Sequence, residues 1–124
     1  MPFITISGKI KPGLKQGRKL GFPTINVPVP KSIKKKDWGI YFSLIRIGDI
    51  LYPGVTHLGP PKTFSLSRST CETYLLTLKK NLCNKKVEKK LIFRLREVEE
   101  FPNVAKFKKQ IKKDIKAAKK FFGL

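Results

Sequence analysis

Trp38-Gly-Ile-Tyr-Phe-Ser-Leu-Ile-Arg-Ile-Gly-Asp-Ile-Leu-Tyr-Pro-Gly-Val-Thr-His57 is the stretch that decides how this chain folds. Two β-rich runs, Trp38 to Ile47 and Ile50 to His57, flank Gly48-Asp49, a turn that returns the second run antiparallel to the first. Upstream, Ile4, Ile6, Gly8 and Ile10 alternate with Thr5, Ser7 and Lys9, as in a half-buried strand. A shorter strand is expected from about Thr24 to Val29, ended by Pro28, Pro30 and the lysines up to Lys36. Downstream, Cys71 to Leu78 and Val87 to Val98 read as a second hairpin, with Val87, Leu91, Phe93 and Leu95 alternating with Glu88, Lys90, Arg94 and Arg96. Then the period changes. Val104, Phe107, Ile111, Ile115, Ala118 and Phe122 recur every three or four residues, an amphipathic helix with Asn103 as N-cap and Gly123 as its stop. About six strands and one terminal helix predict a mainly β, single-domain protein over 1–124. The expected form is a small antiparallel barrel closed by the C-terminal helix.

Charge is the largest compositional signal: 28 Lys and Arg stand against 8 Asp and Glu, a formal net charge of +20. Such a field attracts polyanions, nucleic acid or small anionic substrates. The lysines are distributed, as in Lys34-Lys35-Lys36, Lys79-Lys80, Lys85-Lys86 and Lys89-Lys90, and read as a solvated face. No apolar run has the length to cross a bilayer, and the N-terminal residues do not read as a secretory leader. Cys71 and Cys83 make no disulfide framework, and with His57 the only histidine there is no zinc-ligand spacing. A cytoplasmic monomer, with any metal arriving on substrate, is the expectation.

Gly17-Arg-Lys-Leu-Gly-Phe-Pro-Thr-Ile-Asn-Val27 carries the strongest chemical signal. Glycines let backbone N–H groups approach an anion, and Arg18 and Lys19 add charge. Beyond Gly21, Phe22 and Pro23, Thr24 and Asn26 fall on one strand face and Ile25 and Val27 on the other. Two small oxygen-bearing side chains beside such a loop suit a Mg²⁺ ion carried by a polyphosphate. The segment is not a P-loop, because Gly-x-x-x-x-Gly-Lys-Ser/Thr is absent.

Among eight acids, Glu72 stands apart. It shares a strand face with Tyr74, Leu76 and Leu78, the more apolar face, while Cys71, Thr73 and Thr77 lie opposite. A carboxylate at the mouth of an apolar barrel face is desolvated, which raises its pKa and suits a base that takes a proton from an alcohol. The competing reading is a strand-end glutamate paired with a lysine. Likewise His57 is either structural or a base or ligand, and Asp114 lies near the edge of the helical stripe.

Gly8, Gly17-Arg18 and Leu20-Gly-Phe-Pro-Thr-Ile-Asn26 resemble the signature of riboflavin kinases. The similarity continues in order through Gly39-Ile-Tyr41, Gly54-Val55, Leu58-Gly59, Thr63-Phe64, Glu72, Leu95-Arg96, Phe101 and Gln110-Ile-x-x-Asp114. The resemblance implies a six-stranded Greek-key barrel and transfer of the ATP γ-phosphoryl group to the ribityl 5′-hydroxyl of riboflavin, giving FMN and ADP. It implies that Gly17, Arg18, Lys19, Gly21, Phe22 and Pro23 contact the nucleotide, that Thr24 and Asn26 hold Mg²⁺ and phosphates, and that Glu72 is the catalytic base. Tyr74, Arg96, Phe101 and Phe107 are the flavin-binding expectations. The chain departs from the family at Thr56-His57, Tyr74 and Thr77. At Asn84, a residue able to take a left-handed conformation replaces the family's glycine. The adenylyltransferase half of bifunctional relatives has no counterpart in 124 residues, so FAD synthesis is not expected. The contrasting hypotheses are a basic barrel for RNA or single-stranded nucleic acid and a non-catalytic flavin-binding module. The first needs exposed aromatics, whereas Phe42, Phe64, Phe93 and Phe107 read as core or pocket residues.

Overall fold

A computed structural model describes residues 3–11, 21–60, 69–78, 82 and 84–124. Six strands are present among them: β1 (Ile4–Lys9), β2 (Ile25–Val27), β3 (Gly39–Ile47), β4 (Ile50–Gly59), β5 (Thr70–Leu75) and β6 (Lys86–Arg96). One helix, α1 (Val104–Phe121), follows. The strands form one antiparallel sheet in the order β1-β6-β3-β4-β5-β2. Three consecutive strands, β3 to β5, lie side by side and β6 returns beside β3, which is the Greek-key order. Lys11 N–H donates to Asn26 O at 2.8 Å, so the chain after β1 meets β2 and nearly closes the sheet into a barrel.

The central hairpin forms as its sequence requires. Ile47 pairs with Ile50, and Gly48 takes φ +63° in the turn between them. Pro28 limits β2, which ends at Val27 rather than Val29, because proline brings no N–H to a ladder. The hairpin expected from β5 and β6 does not form: β6 pairs with β1 and β3, while β5 lies between β4 and β2. Asn84 has φ +71° in the connection to β6, the left-handed geometry that a short polar side chain tolerates.

The interior holds Ile6, Ile10, Ile25, Val27, Tyr41, Ile45, Leu58, Cys71, Leu75, Val87 and Leu91. Thr73 shares the inward face of β5 with Cys71 and Leu75. Burying each such side chain stabilises the fold by roughly 1.5–3 kcal/mol before entropy is counted. Three buried hydroxyls satisfy one another inside: Thr56 Oγ1 lies 2.6 Å from Ser43 Oγ and 2.7 Å from Thr73 Oγ1. Lys89 is also inside, with no exposed surface. The expectation of a solvated lysine fails there because Lys89 shares the inward phase of Val87 and Leu91.

Phe93 is a second correction. Pairing of β3 with β6 skips Ile92, so Leu91 opposes Ser43 while Phe93 opposes Phe42. That bulge moves Phe93 out of the inward phase. Its ring is 48% exposed and stacks on Phe121 at 5.6 Å, with Phe42 beneath both. The helix starts where Asn103 Oδ1 accepts from Lys106 N–H at 2.9 Å, and Gly123, at φ +73°, follows its end. Asp114, Ile115 and Ala118 are its buried residues.

Candidate functional site

The outer face of β2 and β5 carries the residues singled out by sequence. Alternation turns Ile25 and Val27 inward and leaves Thr24 and Asn26 on the other side. Asn26 is in register with Glu72, and Glu72 with His57 across β4. Thr24 Oγ1 donates to Glu72 Oε1 at 3.0 Å, so the expected carboxylate and hydroxyl meet directly. Gly21, at φ +86°, leads into this segment, and the Phe22 ring meets Tyr74 edge-on at 6.0 Å. Gly17, Arg18 and Lys19 lie outside the described residues.

Glu72 reaches its desolvated state by a different route from the one expected. The apolar barrel interior is lined by the opposite face of β5, that of Cys71, Thr73 and Leu75. Glu72 and Tyr74 point outward and are part-buried there. Burial still pushes the Glu72 carboxyl above its ordinary range, against the Thr24 hydrogen bond and the nearby Lys89 charge, which both pull it down. Burial, and then the Arg96 charge, hold the His57 imidazole down to about 4, so it is neutral at pH 7. Among the described residues, Asn26 Oδ1 and His57 Nδ1 are buried without a hydrogen-bond partner. Orphaned polar atoms on both sides of one carboxylate need a ligand, water or ion to satisfy them. No three His, Cys, Asp or Glu side chains converge on a common point among the described residues.

The same register row continues from His57 to Ile40 and then to Arg96. Three inter-strand steps of about 4.8 Å separate Glu72 from Arg96, about 14 Å along the sheet. Arg96 is held by Asp114, with Nη2 donating to Oδ2 at 2.7 Å and Nε donating to Oδ1 at 3.1 Å. Gln110 Nε2 donates to the same carboxylate at 2.9 Å. The guanidinium lies 6.0 Å from the Phe101 ring, which in turn lies 5.6 Å from Phe107. A cavity of about 470 Å³ opens beside these rings, lined by Glu99, Glu100, Phe101, Pro102, Ala105, Lys106, Lys109, Gln110 and Lys113. Thus Tyr74 stands with Glu72, whereas Arg96, Phe101 and Phe107 form a second cluster along the row.

The sequence reading left the Asp114–Arg96 pair unrecognised, although Gln110 and Asp114 stand four apart on one helical face. It also missed Lys89, whose signal was the Val87-Lys89-Leu91 alternation.

The Flavokinase model, described as riboflavin kinase, matches residues 2–122, and the chain belongs to the riboflavin kinase family. It is 32% identical over 124 residues to the bifunctional riboflavin kinase/FMN adenylyltransferase of Escherichia coli K12, covering 99% of this chain and 39% of that protein. It is 34% identical over 120 residues to the RNA-binding riboflavin kinase RibR of Bacillus subtilis, covering 96% of this chain and 51% of that protein. The chain therefore spans between two fifths and about half of these curated relatives. Among solved structures, riboflavin kinase from Trypanosoma brucei shares the fold at TM-score 0.65 and 17% identity, over 96% of this chain and 79% of that one. A Streptococcus pneumoniae structure described as a macrolide-efflux protein shares it at TM-score 0.79 and 19% identity, over 93% and 38%.

Proposed function

We propose that this chain transfers the γ-phosphoryl group of ATP to the ribityl 5′-hydroxyl of riboflavin, giving FMN and ADP. The observation that carries this reading is the Thr24–Glu72 hydrogen bond beside the orphaned Asn26 oxygen, on a chain of the riboflavin kinase family. Glu72 accepts the proton of the attacking hydroxyl. Burial raises its pKa, which makes it a stronger base than an exposed carboxylate. Thr24 holds one carboxyl oxygen, which orients the group toward its substrate. Neutral His57 beside it adds no competing cation at pH 7. The flavin ring is assigned to Arg96, Phe101 and Phe107 on family similarity; Arg96 lies three register steps from Glu72, about 14 Å along the sheet, which supports an elongated substrate.

A Mg²⁺ ion bound with ATP fits Thr24 and Asn26, because a buried carbonyl oxygen lacking a partner is a hard donor suited to a hard cation. When bound, that ion neutralises charge on the phosphate oxygens. The glycine-rich segment with Gly17, Arg18 and Lys19 is assigned to the nucleotide on family similarity.

The test is incubation with riboflavin, ATP and Mg²⁺, with FMN resolved by chromatography. Failure to form FMN refutes the kinase reading, and flavin binding without turnover supports the non-catalytic flavin module. A second reading, single-stranded RNA binding, draws on the half-exposed Phe93–Phe121 stack and the charge of +20. RNA affinity unaffected by alanine at both rings removes that support.

A further inference from the structure

We propose that Lys89 is a positioning residue for this site: its buried ammonium ties β2 to β5 at the register pair Asn26–Glu72, from inside the barrel. The inference rests on the reading of Glu72 as the base. Lys89 stands on β6 and projects across the interior. Nζ donates to Ile25 O on β2 at 2.9 Å and to Cys71 O on β5 at 2.9 Å. These acceptors belong to the residues that immediately precede Asn26 and Glu72. The ammonium is therefore held by groups on both strands that carry the proposed chemistry.

A space-filling role does not account for this arrangement. An apolar side chain of similar volume would fill the interior without desolvating a charge. It would lack donors for the two carbonyls. Those bonds matter because β2 has only three residues, so its ladder to β5 is short. Thr24 and Glu72 join the same two strands from the outer side at 3.0 Å. Lys89 and the Thr24–Glu72 bond thus clamp β2 and β5 from opposite faces, fixing the separation on which alignment of the reacting groups depends.

The ammonium also acts through charge. Burial pulls the Lys89 pKa below its ordinary value, and the Cys71 and Glu72 charges, both on β5, oppose that shift by favouring the protonated form. Reciprocally, Lys89 favours ionised Glu72 against burial, as does the Thr24 hydrogen bond. His57 faces Glu72 from β4 in the neutral form at pH 7.

The experiment compares wild type, Lys89→Met and Lys89→Gln by amide hydrogen exchange and by kcat and KM for FMN formation. In Lys89→Met, which removes the donors to both carbonyls, the amides of residues 25–27 should exchange about tenfold faster than in wild type. In the same variant kcat should fall about tenfold while KM for riboflavin stays within about twofold of wild type. Lys89→Gln, which keeps N–H donors, should lie between the two in both readouts. Exchange rates like wild type in folded Lys89→Met overturn the clamp. Faster exchange with kcat unchanged overturns the positioning role. These arms read the clamp directly, whereas wild-type protein that forms no FMN refutes the kinase reading itself.

Discussion

Replacing Glu72 by glutamine separates the chemical role of this residue from its structural one. Three contributions set the stability change. The amide loses the charge-assisted part of the Thr24 bond, whose 3.0 Å geometry its carbonyl oxygen can retain. It also loses attraction to Lys89, and it is relieved of the cost of burying a charge. The net pKa shift is upward, so burial outweighs the other two together. A neutral side chain is therefore favoured in the folded state, and Glu72→Gln should lie within about 1 kcal/mol of wild type or be more stable at pH 7. The sign with pH follows. The folded state holds the Glu72 proton to higher pH than the unfolded chain, so this group's contribution to stability falls as pH rises from the unfolded pKa through the raised folded one. The variant should lose that slope. Turnover should fall about 10²- to 10⁴-fold, the range for removing a general base. That corresponds to roughly 3–5 kcal/mol of barrier. Urea unfolding at several pH values, beside FMN formation at saturating substrate, reads both quantities. Near-wild-type turnover would refute the base assignment. A fall in rate matched by a loss of several kcal/mol in stability would show that the carboxylate is structural.

Asp114→Ala should destabilise the protein by about 2–3 kcal/mol in chemical denaturation, because it removes the charge-assisted bonds to Arg96 and leaves that guanidinium to Glu97 O and the exposed Glu99. A loss below about 1 kcal/mol would show that solvent already satisfies Arg96. Thr56→Val removes the central hydroxyl between Ser43 and Thr73 and should cost about 1–3 kcal/mol, read as a lower urea midpoint with unchanged slope. For His57, folding lowers the pKa, so its contribution to stability is full above the unfolded value and is lost as pH falls toward about 4. His57→Asn should flatten stability between about pH 6.5 and 4, and a variant with the wild-type slope would assign that slope to other groups.

Alternation and turn chemistry made most of the fold legible. The Gly48-Asp49 hairpin, the split of Ile25 and Val27 from Thr24 and Asn26 onto opposite faces, and the Asn103-capped helix are local features, set by residues within a few positions of one another. What failed was non-local. Sequential order suggested that β5 and β6 pair, but β6 lies between β3 and β1, and the edge of β5 away from β4 is taken by β2. The bulge at Ile92 reversed the phase of Phe93, which alternation counted from Val87 places inside. Glu72 was correctly singled out as desolvated, but the interior lies on the Cys71–Thr73 side of its strand. Alternation identifies two faces without saying which one the rest of the chain will cover.

The sequence by itself determined a β-rich chain with a capped terminal helix, placed Thr24 and Asn26 on one strand face, and carried enough of the riboflavin kinase pattern to state the family. Those properties depend on backbone preferences and on residue order along short segments. Only the tertiary structure decided that Thr24 bonds Glu72, that Asp114 holds Arg96, and that Lys89 sits behind the site. Each of these contacts joins residues brought together by strand order and barrel closure. Their energies depend on how far that closure removes them from water, a quantity that no local pattern contains.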